Sequence, residues 1–231
     1  PHRDSPGVTM TASRPQRPRP KKSVHLERLE REISTLNDVY WGSLAGSHCL
    51  THHRPPKAKT AADFLPEGLA SRLDLSVDEL DQRVSSLASR FRRLMLVDAV
   101  AVYEAFLLDR LKPVLGAATA KKCVDASYKG RVRVIYKALA IPAANRGTRH
   151  SLDIVHLRAA CEVRNCLVHG GGMIDGRAVQ KLRGFYGHGT LTVGQQLPLG
   201  EAELWLMLGA LRAHARDLDL TLRTLSRRRR P

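Results

Sequence analysis

Residues 161–172 read CEVRNCLVHGGG, a run that carries an arginine and a histidine five residues apart and then stops in three glycines. From Ser151 onward, apolar side chains fall at Ile154, Leu157, Cys161 and Val168, a seam with helical spacing. Arg164 falls on that same seam, and an arginine among core positions must be paired or solvated, because a buried unpaired charge is very costly. Asn165 and His169 are four apart and so share one helical face. The glycines at 170–172 remove side-chain bulk and end the helix just past the histidine. Arg164, Asn165 and His169 are therefore expected to converge at an open helix end beside bare backbone, a place an anion such as phosphate reaches. The spacing alone is equally that of an ordinary helix end, with Arg164 paired to a core carboxylate and His169 favoured by the helix dipole.

The strongest element upstream is a helix that begins at Ser76. Glu79 stands three residues later, which completes a capping box, and the helix is expected to run to about Leu111 and stop before Pro113. Its second half, LMLVDAVAVYEAFLL (94–108), is apolar nearly all round and reads as the central helix. Asp98 and Glu104 are then acids in a mostly buried element and need partners. Glu104 is the expected partner of Arg164. Such a pair would hold the guanidinium in one orientation, as a supporting acid orients a catalytic group, or it would be a plain buried ion pair.

The remaining elements follow in chain order. Residues 1–22 combine Pro, Arg and Ser with little to bury and read as a disordered basic tail. Residues 23–75 hold an amphipathic helix over 24–50, with Leu26, Leu29, Ile33, Leu36 and Tyr40 on one stripe, and then a Pro-rich loop. His48, Cys49, His52 and His53 cluster there, but no second Cys/His pair stands at zinc spacing to complete a site, so no metal is assigned. A short helix over 131–140 and a turn through 141–148 lead into the motif helix, which Ser151 is placed to cap. The stretch MIDGRAVQKLRG (173–184) is ambiguous. FYGHGTLTVGQQLPL (185–199) reads as a small hairpin or an irregular loop inserted before the last helix. Leu204, Leu208, Leu211, Leu218 and Leu222 mark that last amphipathic helix, about 200–225, with Trp205 facing either the core or a partner. Residues 227–231 form a second basic tail.

Composition and charge narrow the function classes. A chain of 231 residues accommodates one domain with extensions, or at most two small domains. Its four cysteines form no paired framework, which fits a reducing cytoplasm. No apolar run approaches the ~20 residues of a membrane span, so a soluble cytoplasmic protein is expected. The net charge is +16, but it is unevenly placed. Outside the two tails it is concentrated in 121–149, which contains eight Lys/Arg against one Asp and directly precedes the motif helix. A clustered patch of this kind is the footprint of a polyanion partner. Its members, Lys121, Lys122, Lys129, Arg131, Arg133, Lys137, Arg146 and Arg149, are the candidate RNA-binding cations. Tyr128 and Tyr136 lie among them, where they are expected to stack on unpaired bases.

Residues 164–169, RNCLVH, resemble the arginine–four residues–histidine signature of the HEPN superfamily, including the Asn that often follows its arginine. The likeness extends to the long apolar helix with an internal acid (VAVYEAFLLDRL, 100–111), the GGG turn and the late amphipathic helix, an order similar to that in HEPN proteins of prokaryotic toxin and defence systems. The region resembling the family is 76–226. The helical segments together read as an all-α bundle of four to five helices with antiparallel neighbours, and the resemblance implies a HEPN-like domain that dimerises so that two motifs face a shared cleft. It implies a metal-independent endoribonuclease acting on single-stranded RNA by 2′-hydroxyl attack, with no cofactor. His169 is the expected general acid or base. Arg164 would stabilise charge on the phosphoryl oxygens, and Asn165 would position the phosphate or the histidine. The alternative is a noncatalytic HEPN module that binds RNA or a protein partner such as an antitoxin.

Overall fold

A computed structural model of the chain describes residues 21–70, 72, 75–126, 128–139 and 150–228, with backbone alone at 128–130, 132, 150–153, 227 and 228. The described residues are all-helical, with no strand beyond two isolated bridges. The expected tail 1–22 lies outside them except for Lys21 and Lys22, as do residues 229–231 and the turn through 141–148.

Four long helices make the body: α1 (Val24–His52), α3 (Val77–Leu115), α6 (His150–His169) and α8 (Glu201–Arg228). Four shorter helices occupy the connections: α2 (Glu67–Ala70), α4 (Ala117–Asp125), α5 (Tyr128–Ala138) and α7 (Gly176–Tyr186). Eight described helices thus exceed the expected four to five. The α5 helix is the short one expected over 131–140, with an earlier start, and the others beyond that count, α2, α4 and α7, are only 4, 9 and 11 residues long, too short to carry a full periodic signal.

Side-chain pairings fix the directions of the long helices. Arg54 just past the end of α1 meets Asp81 near the start of α3 at 2.7 Å, and His25 at the start of α1 lies 3.6 Å from Asp109 near the end of α3, so these two are antiparallel. The α8 helix runs parallel to α3. Arg92 Nε donates to the Leu199 carbonyl just before α8 at 2.8 Å, and Arg110 lies 3.0 Å from Asp219 near its end. The α6 helix opposes α3, since Arg164 approaches Glu104 while Gly172 sits beside Arg93. Leu96, Ala99, Val100, Tyr103, Leu107 and Leu111 of α3 are buried where these helices meet, at the three- and four-residue spacing that keeps one face inward.

Ser76 caps α3 as expected. Its hydroxyl accepts from the Glu79 N–H at 3.3 Å and the Glu79 carboxylate accepts from the Ser76 N–H at 2.9 Å. The helix does not stop before Pro113 but continues to Leu115. Proline removes a single N–H from the ladder this close to the end, and Gly116, at φ +79°, makes the turn into α4. Nor is α3 buried all round at 94–108, because Leu94, Asp98, Ala101, Ala105 and Leu108 are exposed. Asp98 therefore sits in water and needs no partner.

Other sequence expectations are also adjusted. The α1 helix extends to His52, so the Pro-rich loop begins later than its composition suggests, and it contains a 3₁₀ turn (Ala61–Asp63) as well as α2. Ser151 lies inside α6 instead of capping it. The ambiguous 173–184 stretch becomes most of α7, capped by Asp175, whose carboxylate accepts from the Ala178 N–H at 2.6 Å. No hairpin forms at 185–199. Phe185 and Tyr186 finish α7, and the loop that follows hydrogen-bonds to 172–174 instead. Trp205 stacks on Trp41 of α1 with centroids 6.2 Å apart, so its main neighbour lies within the chain.

Candidate functional site

The motif helix ends as its glycines require. The N–H groups of Gly170 and Gly172 both return to the Cys166 carbonyl, at 3.0 and 2.9 Å. Gly171 and Gly172 have φ of +59° and +85°, while a Cβ on Gly170 would lie 3.1 Å from two backbone carbonyl oxygens. The turn is then tied to the loop after α7, with Leu197 N–H donating to the Gly172 carbonyl at 2.8 Å and Ile174 N–H to the Gln195 carbonyl at 3.0 Å. His169 is thus held next to a pinned turn while its own side chain remains exposed, without a hydrogen-bond partner among the described residues.

Five residues along a helix turn through about 140° net, so Arg164 and His169 do not share a face. They open onto two adjoining cavities instead of converging on one point. The first cavity, about 500 Å³, is lined by Glu104, Arg131, Arg158, Cys161, Glu162, Arg164, Asn165 and Lys181, with Val124, Asp125 and Ala126 at its edge. The second, about 440 Å³, contains His169, Gly170, Met173, Ile174, Asp175, Arg177 and Cys166. Three residues line both: Glu162, Asn165 and Lys181. Asn165 bridges the motif physically, since its Oδ1 accepts from Arg164 Nη1 at 3.2 Å.

Glu104 faces the first cavity, as expected, but its nearest cation is another arginine. Arg131 Nη2 donates to Glu104 Oε1 at 2.9 Å, whereas Arg164 Nη2 stands 4.0 Å from Glu104 Oε2. One carboxylate therefore faces two guanidinium groups, and Arg164 is the more loosely held. The Nε atoms of Arg131 and Arg164 are both buried without a hydrogen-bond partner among the described residues. Cys161 precedes the motif and Cys166 lies within it, both as neutral thiols, their pKa values pushed up to about 11 chiefly by burial, which disfavours the thiolate.

The basic segment divides. Lys121, Lys122, Arg133 and Lys137 are exposed on α4 and α5, and Lys121 pairs with Asp125 at 2.7 Å. Arg131 faces the cavity and is buried, so it acts from within the site. Tyr136 is also buried, and so offers no surface for base stacking. Tyr128 and Lys129 lie on α5 with their backbone alone described, while Arg146 and Arg149 lie outside the described residues. Among those residues no group of three His, Cys, Asp or Glu side chains is placed to hold a metal ion, the His48–His53 cluster included. No described helix is long and apolar enough to cross a membrane.

Sequence reading missed Arg158, Glu162 and Lys181. The first two were visible in principle: Arg158, Glu162, Asn165 and His169 follow one another at intervals of four, three and four, a single polar stripe along α6. Lys181 belongs to α7 and reaches the site only through packing, so no local pattern reveals it. Comparison of the chain with family models, with curated proteins and with solved structures finds no match.

Proposed function

We propose that the protein is a HEPN-type endoribonuclease that cuts single-stranded RNA by attack of a 2′-hydroxyl on the adjacent phosphorus. The observation that carries this reading is the pair of adjoining cavities. One is lined by Arg164 and the other by His169, whose imidazole has no hydrogen-bond partner among the described residues, while Asn165 is common to both. In the reaction the 2′-oxygen forms a bond to phosphorus as the bond to the 5′-oxygen breaks. The products are a 2′,3′-cyclic phosphate and a 5′-hydroxyl. His169 either accepts the 2′-proton or supplies the proton that the departing 5′-oxygen takes up, as a positioned side chain does in general acid–base catalysis. Arg164, held loosely between Glu104 and Asn165, stabilises the charge that grows on the non-bridging oxygens.

Two further elements belong to the proposal. The exposed cations of α4 and α5, Lys121, Lys122, Arg133 and Lys137, carry the RNA strand towards the first cavity, as clustered cations do for a polyanion. A second copy of the chain completes a shared cleft over the exposed motif face, where Val168 (48% exposed) and Met173 (46% exposed) flank His169 with apolar surface. The toxin or defence setting of similar HEPN proteins makes an antitoxin-like protein the natural controlling partner.

The mechanism is tested with a mixed-sequence RNA and its 2′-O-methyl counterpart. Cleavage of the first to cyclic-phosphate and 5′-hydroxyl ends, with the second bound but intact, is the expected result. Binding of both without cutting would identify a noncatalytic RNA-binding module, and 5′-phosphate products would contradict 2′-hydroxyl attack.

A further inference from the structure

Resting on that RNA reading, we propose that Lys181 of α7 is a phosphate ligand of the same site, held in reserve by Glu162 until RNA draws it away. Arg164 and His169 lie on different sides of α6, and a strand passing from one cavity to the other crosses the residues common to both. Asn165 and Glu162 belong to α6, and Lys181 alone comes from the facing helix. Its ammonium donates to both carboxylate oxygens of Glu162, at 2.9 and 2.8 Å. Two of its three protons are thereby engaged and one is left for a ligand.

The two partners are not equivalent. Glu162 is 8% exposed and anchored on the motif helix, and Lys181 is its one hydrogen-bond partner among the described residues. The lysine is a compact charge on a flexible four-carbon stem, with its side chain 39% exposed. When a phosphodiester enters the junction, the lysine is the member that moves. Glu162 opposes the incoming charge and competes for the same ammonium, so it sets how tightly RNA is held.

Further cations extend this line in both directions. Arg158 lines the first cavity and Arg177 the second, and neither has a hydrogen-bond or ion-pair partner among the described residues. From Arg158 to His169 the polar stripe of α6 covers twelve residues, about 16 Å of helix. A ligand that uses its full length has more than one phosphate, which makes an oligonucleotide the chemical class the site takes.

The test is a titration of the full-length protein against a fluorescein-labelled 2′-O-methyl oligonucleotide in EDTA, over a range of salt concentrations, with RNA cleavage measured in parallel. Lys181→Gln is expected to weaken binding about tenfold or more and to lower the salt slope by about 0.7, the value for one lost phosphate contact on a single strand. Glu162→Gln is expected to tighten binding. Adding Lys181→Gln to Glu162→Gln must weaken binding at least as strongly as Lys181→Gln does alone, since no carboxylate then competes for the ammonium, and this comparison avoids leaving a lone buried carboxylate. If the double variant binds as Glu162→Gln does, Lys181 merely neutralises Glu162 and the proposal fails. It fails as well if Lys181→Gln matches the wild type in affinity and salt slope while the wild type binds and cuts RNA. A wild-type protein that neither binds the oligonucleotide nor cuts RNA overturns the RNA reading itself, a result plainly different from the other two.

Discussion

At the scale of the residue, the members of the motif are held unequally. His169 is exposed beside a pinned glycine turn, Asn165 accepts from Arg164, and Arg164 shares Glu104 with the better-placed Arg131. The two thiols beside them have a measurable consequence. In the unfolded chain they ionise near pH 9, but in the folded chain only near 11. The unfolded state therefore gains stability relative to the folded one as pH rises through that window, by about 1.4 kcal/mol per thiol per pH unit. Urea denaturation is expected to show stability level below about pH 8.5 and falling between about pH 9 and 11, with a shallower fall in Cys161→Ala. An unchanged slope in that variant would show that its thiol stays outside the alkaline transition. Arg164, Asn165 and His169 were legible in the sequence because their spacing is a helical pattern with a clear stop. Arg131 was read as a surface cation, since nothing in a local charge run tells an inward arginine from its solvated neighbours.

At the scale of the element, α3 organises the rest, and its start was the clearest local signal in the chain. The Ser76–Glu79 capping box satisfies N–H groups in both directions, and the backbone N–H of Ser76 holds the Glu79 carboxyl below its ordinary pKa. Ser76→Ala is expected to cost about 1 kcal/mol, read as a lower urea midpoint with an unchanged m-value. A loss under about 0.3 kcal/mol would mean that tertiary packing alone sets the start of α3. The ends of elements were less legible than their starts. Pro113 reads as a stop but falls so near the end of α3 that losing one N–H changes little, and α1 runs on through His48 to His52 ahead of its prolines. The loop at 185–199 alternates like a hairpin, yet its polar backbone is satisfied by the turn at 172–174 and not by a second strand of its own. That choice of partner is tertiary, and no local pattern contains it.

At the scale of the whole molecule, the long helices are joined by a buried ionic tie as well as by apolar packing. Asp219 of α8, fully buried, lies 3.0 Å from both Arg110 of α3 and Arg223, and it accepts the Ser23 N–H that leads into α1 at 3.3 Å. This tie lies near the C-terminal end of α3, far along that helix from the motif turn, which sits beside Arg93. All-α architecture was legible from periodicity alone. The way α7 folds back to place Lys181 against Glu162 was not, because it depends on how separate helices meet. The central claim is that the protein cuts RNA with Arg164 and His169. The most direct test is single-turnover cleavage of a mixed single-stranded RNA in excess EDTA by the intact chain, His169→Ala and Arg164→Ala, with far-UV circular dichroism confirming the fold of each. The account predicts cyclic-phosphate products from the intact protein and losses of about 10² to 10⁴ for each variant. Equal cutting by the variants, or binding by the intact protein with no cutting, would contradict it.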